Sequence, residues 1–156
     1  MAVYVDLKGI DGVLNILRRL PPELVAKNGG PVVLALKAGA RKIYKPAQSR
    51  LEQVTDTERS TGLLEKSLVV RRGKAPKSGR GERVIIRVRK KVYPRKSIKD
   101  VTTLKTAHLL EYGSTKQPAE PWLRPAFNAH ARDAIDTATA SLVTQLNTLV
   151  AKLGKV

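Results

Sequence analysis

The chain has 156 residues, no cysteine, 42% hydrophobic and 4% aromatic residues, and a formal net charge of +17. This is enough chain for one domain around one core, which must rest on Val, Leu, Ile and Ala because aromatics are scarce. The composition argues against a disordered chain, excludes disulfides and thiolate metal sites, and fits assembly in a reducing cytoplasm. No run of about 18 apolar residues exists to span a membrane, and Asp6 and Lys8 interrupt the start too early for a secretory signal.

Ala2 to Leu7 alternates weakly and predicts a short strand. A first helix is expected near Asp11, carrying Ile10, Val13, Leu14, Leu17 and Leu20 on one face and ended by Pro21-Pro22. After a turn at Lys27 to Pro31, a longer helix is predicted with the stripe Val33, Leu36, Ala40, Ile43, Ala47, Leu51 and Val54. Pro46 falls inside it and predicts a kink or break near Tyr44.

Leu68–Arg72 and Arg83–Val92 read as strands; in the second, Val84, Ile86 and Val88 face a core while Ile85, Arg87, Arg89 and Lys91 point away. They bracket a basic hairpin loop at about 72–83. Thr102 or Thr103 is expected to cap a short helix that reaches Glu111 and stops at Gly113. After three prolines a long terminal helix is expected, with Phe127, Ala131, Ile135, Ala138, Leu142, Leu146, Leu149 and Leu153 as its stripe. Pro125 sits in its first turn, where a missing donor has no partner to lose. The predicted fold class is α+β: one domain over 1–156, a small antiparallel sheet packed by two long helices, the C-terminal one extended. Such a helix, about 1.5 Å per residue, outgrows a core of this size.

The charge is concentrated. Between Lys66 and Lys99 there are 14 basic residues against the single acid Glu82, so this stretch alone carries +13. Such a field faces a polyanion, an acidic protein surface or water. The candidate polyanion-facing residues are Arg71, Arg72, Lys74, Lys77, Arg80, Arg87, Arg89, Lys90 and Lys91. Among them only Tyr93 offers a base-stacking platform, so a nucleic-acid contact is expected with the backbone alone.

Catalytic patterns are thin, and the chain is expected not to be an enzyme and to need no cofactor or metal. His108 and Glu111, three apart on a predicted helix, have a metal-ligand spacing but no second pair to complete a site. Asp133 and Asp136 suit the positive end of the terminal helix better than acid–base chemistry. The Gly73–Gly81 stretch contains no Gly-Lys-Ser or Gly-Lys-Thr and opens no helix, so it is not a phosphate-cradling loop.

The most specific stretch is Leu109-Leu110-Glu111-Tyr112-Gly113-Ser114-Thr115-Lys116-Gln117-Pro118-Ala119-Glu120-Pro121-Trp122-Leu123-Arg124-Pro125-Ala126-Phe127. It resembles the C-terminal signature of the tail-completion (head–tail connector, minor tail component) family of lambda-like siphophages: Glu-aromatic-Gly-Ser/Thr, a Gln-Pro turn, then Pro-aromatic-Leu-Arg-Pro-Ala-Phe into a terminal helix. Thr61-Gly62-Leu63-Leu64-Glu65-Lys66-Ser67 is similar to a step following that family's long helix, and the order of elements agrees over most of the chain. Arg71 to Lys99 departs from the family pattern by being more basic.

The resemblance implies a non-enzymatic virion protein at the head–tail joint, present in the host cytoplasm during assembly. It implies a ring, a hexamer by family analogy, whose partners are a tail terminator or tail tube protein, a head-completion or connector protein, and genomic DNA in the lumen. Glu111, Tyr112, Trp122, Leu123, Arg124 and Phe127 are the expected subunit-contact residues, since the proline-stiffened turn presents an aromatic and an arginine. The other role open to Trp122 and Phe127 is to pin the terminal helix to the core. The basic loop then lines the lumen or meets an acidic neighbour. A sequence-independent nucleic-acid-binding architectural protein is the alternative reading; it accounts for the charge but not for Glu111 to Phe127.

Overall fold

A computed structural model describes the backbone of residues 30–55, 60–74, 81–94 and 101–153, with side chains to residue 148. The predicted strand at Ala2–Leu7, the first predicted helix and the tip residues Lys77 and Arg80 lie outside the described residues. The elements run α1 (Pro31–Val54), a 3-10 turn (Glu65–Ser67), β1 (Leu68–Arg72), β2 (Val84–Val88), α2 (Thr103–Tyr112) and α3 (Leu123–Leu153). This is an α+β arrangement: a two-stranded antiparallel sheet packs on α1, which in turn packs along the long C-terminal α3. No helix among the described residues is long and apolar enough to cross a membrane.

α1 starts where Pro31 follows Gly30, whose carbonyl takes the first bonds from Val33 and Leu34 (2.9 and 3.2 Å). It ends at Thr55, whose hydroxyl donates to the Leu51 carbonyl at 2.6 Å. Of the kink or break expected near Tyr44, the break is corrected, because the helix runs continuously through Pro46. Ile43 before the proline and Ala47 and Leu51 after it are all buried, so packing holds the helix on both sides of the missing hydrogen bond. The carbonyl that Pro46 leaves without a helical donor belongs to Lys42, an exposed residue.

α1 and α3 pack antiparallel. Ala47 and Leu51 share a core with Trp122 and Ala126, and a Cβ on Gly39 would collide with the Ala134 carbonyl and lie 3.0 Å from the Ala138 Cβ. This close approach corrects part of each predicted stripe by one residue. On α1 Val33, Ile43, Ala47 and Leu51 are buried as expected, but Ala35 and Gly39 take the places of Leu36 and Ala40; on α3 Leu142 is buried as expected, but Ala126 and Ala134 replace Phe127, Ala131 and Ile135, with Trp122 buried just before the helix. Small residues win the contact because interaxial distance depends on the side chains between the axes. The displaced residues are not solvated singly: Leu36, Ala40, Phe127, Ala131 and Ile135 line an apolar hollow of about 240 Å³ along the helix pair.

Equal rise along both helices sets Pro31, eight residues before Gly39, level with Leu142, eight after Ala134. α3 therefore runs on past the start of α1 by about three turns.

The sheet register pairs Leu68 with Val88, Val70 with Ile86 and Arg72 with Val84 on the face toward α1. Leu68 and Val88 are buried there, and the Tyr44 hydroxyl of α1 donates to the Leu68 carbonyl at 3.3 Å. The second strand is shorter than the expected Arg83–Val92. Beyond Arg89, whose N–H still reaches the Ser67 carbonyl, the chain leaves the ladder and Thr103 takes it over: its hydroxyl donates to the Arg89 carbonyl (2.5 Å) and accepts from the Lys91 N–H (3.0 Å). Val92 makes only an isolated bridge to Thr102 and is 63% exposed.

Candidate functional site

α2 has the predicted ends. Thr102 caps its start, accepting from the Lys105 N–H, and Gly113 ends it at φ 74°, a left-handed conformation that favours glycine. A Cβ there would also lie 2.7 Å from the Ala119 nitrogen, so the turn that follows closes tightly over this position. Ser114 and Gln117 bridge the turn, Ser114 Oγ accepts from the Lys116 and Gln117 N–H groups, and the Glu120 N–H returns to the Leu110 carbonyl at 2.8 Å.

The returning chain delivers the start of α3 onto Glu111. The first residues of any helix leave backbone N–H groups without partners, and the Pro-Ala-Glu-Pro-Trp run before α3 contains no Ser, Thr, Asn or Asp to cap them. Glu111 does so from the neighbouring helix. Its Oε2 accepts from the Trp122 and Leu123 N–H groups at 2.9 and 2.8 Å, and its Oε1 accepts from the Arg124 N–H at 3.0 Å. The Arg124 guanidinium closes the device, donating from Nε to Glu111 Oε1 and from Nη2 to the Glu111 carbonyl, both at 3.0 Å. Trp122 lies beneath, 3% exposed, its indole N–H donating to the Ala107 carbonyl at 3.3 Å.

Burial of the Glu111 carboxyl opposes its ionisation. The hydrogen bonds from the backbones of Leu123, Arg124 and Trp122 and from the Arg124 side chain outweigh that, so its pKa lies below the ordinary value.

This geometry divides the six residues expected at a subunit contact. Glu111 and Trp122 are buried inside the chain's own fold, which corrects their placement at an outer surface and gives Trp122 the pinning role. Leu123 is half-buried against the same core. Tyr112, Arg124 and Phe127 keep exposed surface. The Arg124 guanidinium lies 4.8 Å above the Tyr112 ring, which in turn packs against the His108 ring at 4.6 Å. Phe127 and Arg124 border a second hollow, of about 530 Å³, floored by Ala40, Ile43 and Ile86.

The pairs with catalytic or metal spacing are separated or solvated. His108 stacks on Tyr112 at the surface, whereas both carboxylate oxygens of Glu111 turn into α3, so the two do not converge. Asp133 and Asp136 are corrected in position: α3 begins at Leu123, which leaves them about three turns in, beyond the reach of its dipole. They pair instead with His130 (3.6 Å) and Arg132 (3.8 Å) on the exposed side. Among the described residues no three His, Asp or Glu side chains group as a metal site.

The basic segment forms the second part of the site. Arg71, Arg72, Lys74, Arg87, Arg89, Lys90 and Lys91 are all exposed. Arg72 differs from the others in that Glu82 takes its guanidinium, the Nε donating to Oε2 at 2.7 Å and Nη2 to Oε1. That hydrogen bond holds the Arg72 charge more firmly than usual. Arg83 joins the group without having been among the candidates. Its carbonyl accepts from the Gly73 N–H at 2.8 Å and its stem lies over Gly73, where a Cβ would stand 3.1 Å from Cδ. Extending the alternation of Arg87 and Arg89 back by two further steps would have found it.

No family model, curated protein or solved structure matches the chain. The likeness to tail-completion proteins therefore stands on the residues of the Leu109–Phe127 segment and the order of elements around it.

Proposed function

We propose that this chain is a structural, non-enzymatic protein of a long-tailed phage neck, completing the tail and joining it to the head connector as a ring through which DNA passes. The observation that supports this reading is the construction of the Leu109–Phe127 segment, where the resemblance is strongest. Its acid, glycine and tryptophan fix the start of α3 rigidly, while Tyr112, Arg124 and Phe127 are left on the outside, the last two bordering an apolar hollow. A rigid turn with exposed aromatics is what a closing subunit contact requires, and the three turns of α3 beyond α1 offer a second surface for a neighbour. Its work would be geometric: to hold copies at a fixed angle around a channel, between tail proteins on one side and connector proteins on the other.

The test is assembly. Native mass measurement of the purified protein with its tail partners is expected to give a closed ring. Tyr112→Ala together with Phe127→Ala should abolish the ring and the joining of tails to heads while leaving the monomer's melting temperature within a few degrees of wild type. A protein that stays monomeric with those partners present, or a double variant that joins heads and tails normally, sinks this reading. The second reading, a sequence-independent nucleic-acid-binding architectural protein, draws on the exposed arginines of the sheet; a gene lying away from portal, head and tail genes would favour it.

A further inference from the structure

The sheet is a two-stranded ribbon with one face on α1 and the other turned out. Strand alternation places Val69, Arg71, Gly73, Arg83, Ile85, Arg87 and Arg89 at the outward positions. The backbone ladder continues past both strand ends, through Gly73 N–H to Arg83 O and Arg89 N–H to Ser67 O (2.8 Å each), so all seven belong to one surface. Four of the seven are arginines, each exposed. None is acidic. Glu82, the one acid of the segment, engages Arg72 from the other set of positions. None of the four makes a salt bridge to another described residue.

The arrangement lessens, across the strands, the repulsion that such a concentration invites. Arg87 stands opposite Val69 and Arg71 opposite Ile85, so across the strands arginines meet only diagonally, each facing an aliphatic side chain. Gly73 opposite Arg83 leaves room for that arginine's stem to lie flat. Along β2 and its extensions Arg83, Arg87 and Arg89 form a line, with Arg71 beside it. A line of guanidinium forks matches a linear array of phosphates, which they bind two bonds at a time. A protein partner would look for an apolar or aromatic anchor at the centre of its contact. This face offers none larger than Val69 and Ile85.

We infer that the outer face of the β1–β2 ribbon, through Arg71, Arg83, Arg87 and Arg89, binds the phosphate backbone of nucleic acid without sequence preference. A two-stranded ribbon also has the width that the major groove of B-form DNA admits. The inference deepens the proposed function at one point, the polyanion contact. It moves the centre of that contact from the hairpin tip to the ribbon face, and it removes Arg72 from it.

The experiment uses the full chain and a labelled random-sequence DNA duplex, with affinity read by fluorescence anisotropy across a salt series. Arg71, Arg83, Arg87 and Arg89 replaced together by Gln should lower affinity at least about tenfold and reduce the slope of log K against log salt by about 3 to 4, one phosphate per arginine. Arg72→Gln, which changes net charge as much as Arg71→Gln, should leave the slope unchanged, whereas Arg71→Gln should reduce it by about 1. Equal effects of those two single variants would overturn the assignment to this face. So would a wild-type slope in the fourfold variant while Lys74→Gln, Lys77→Gln and Arg80→Gln together abolish binding, which would return the contact to the loop. Polyglutamate that displaces the duplex as well as an oligonucleotide of equal charge does would overturn nucleic acid as the ligand in favour of an acidic protein. Head–tail joining is not read here, so failure of the ribbon and failure of the neck reading are separable.

Discussion

The Glu111 device and the basic ribbon use the same chemical groups to opposite ends. At the start of α3 one carboxylate gathers three backbone N–H groups and a guanidinium, and the polar groups of two helices satisfy one another inside the chain. On the ribbon one carboxylate serves one arginine at the edge, and the remaining guanidinium groups project with no acid of the described residues on their face. The first region spends its electrostatics on fixing structure, because a buried charge is tolerated only when its hydrogen bonds are made. The second keeps its charge available outside. Stability should therefore be sensitive to the first region and indifferent to the second, while polyanion affinity should behave in the reverse way.

The largest effect is expected from Trp122→Ala. It empties the place where α1, α2 and α3 meet and removes the indole bond to Ala107, which should cost about 3–5 kcal/mol of monomer stability, as for other buried aromatics. Urea unfolding of the isolated protein measures it. A loss seen only on assembly, with the monomer's midpoint unmoved, would break the comparison by making Trp122 a contact residue.

A smaller effect, with a distinctive dependence on pH, is expected from Glu111→Gln. The amide keeps an acceptor oxygen but loses the charge, which should cost about 1.5–3 kcal/mol near neutrality. Because the pKa of Glu111 is lowered in the folded protein from an ordinary 4.5, its charge contributes fully above that value. The contribution fades as pH falls below it toward the folded-state pKa. The stability gap between wild type and variant should be flat from pH 7 to about 5 and narrow at lower pH. A gap that stayed constant through acid unfolding would mean that shape rather than charge holds the cap.

The contrast also explains what could be read from the sequence. Strand β1, the Thr102 cap, the Gly113 stop and the existence of two long helices were legible, because each depends on neighbours a few residues away. The faces on which the helices meet were not, since Gly39, Ala134 and Ala138 decide them by permitting close approach, and periodicity alone favours the larger Leu36, Phe127 and Ile135. Glu111 reads in the sequence as a subunit-contact residue, and its capping role does not show there. Capping residues are ordinarily adjacent to the helix they cap, and this one acts from the neighbouring helix across a turn; the signal was the absence of any local cap before Leu123. Likewise Arg72 and Arg71 are indistinguishable as letters, and only the position of Glu82 in the hairpin separates them.

The smallest effect completes the comparison. Replacing Arg71, Arg83, Arg87 and Arg89 by Gln is expected to change monomer stability by no more than about 0.5 kcal/mol, and upward if at all, because exposed substitutions away from caps and cores seldom do more. The four side chains share one face with no described acid on it, so removing them relieves mutual repulsion and breaks no described salt bridge. The relief should shrink as salt is added, since exposed charges are screened over about 8–10 Å at physiological ionic strength. Thermal unfolding at low and high salt checks both the size and the sign. A variant destabilised by several kcal/mol, with no recovery in salt, would mean that these arginines hold the sheet to the rest of the chain. The ribbon would then be a second structural region rather than a surface kept open for phosphate.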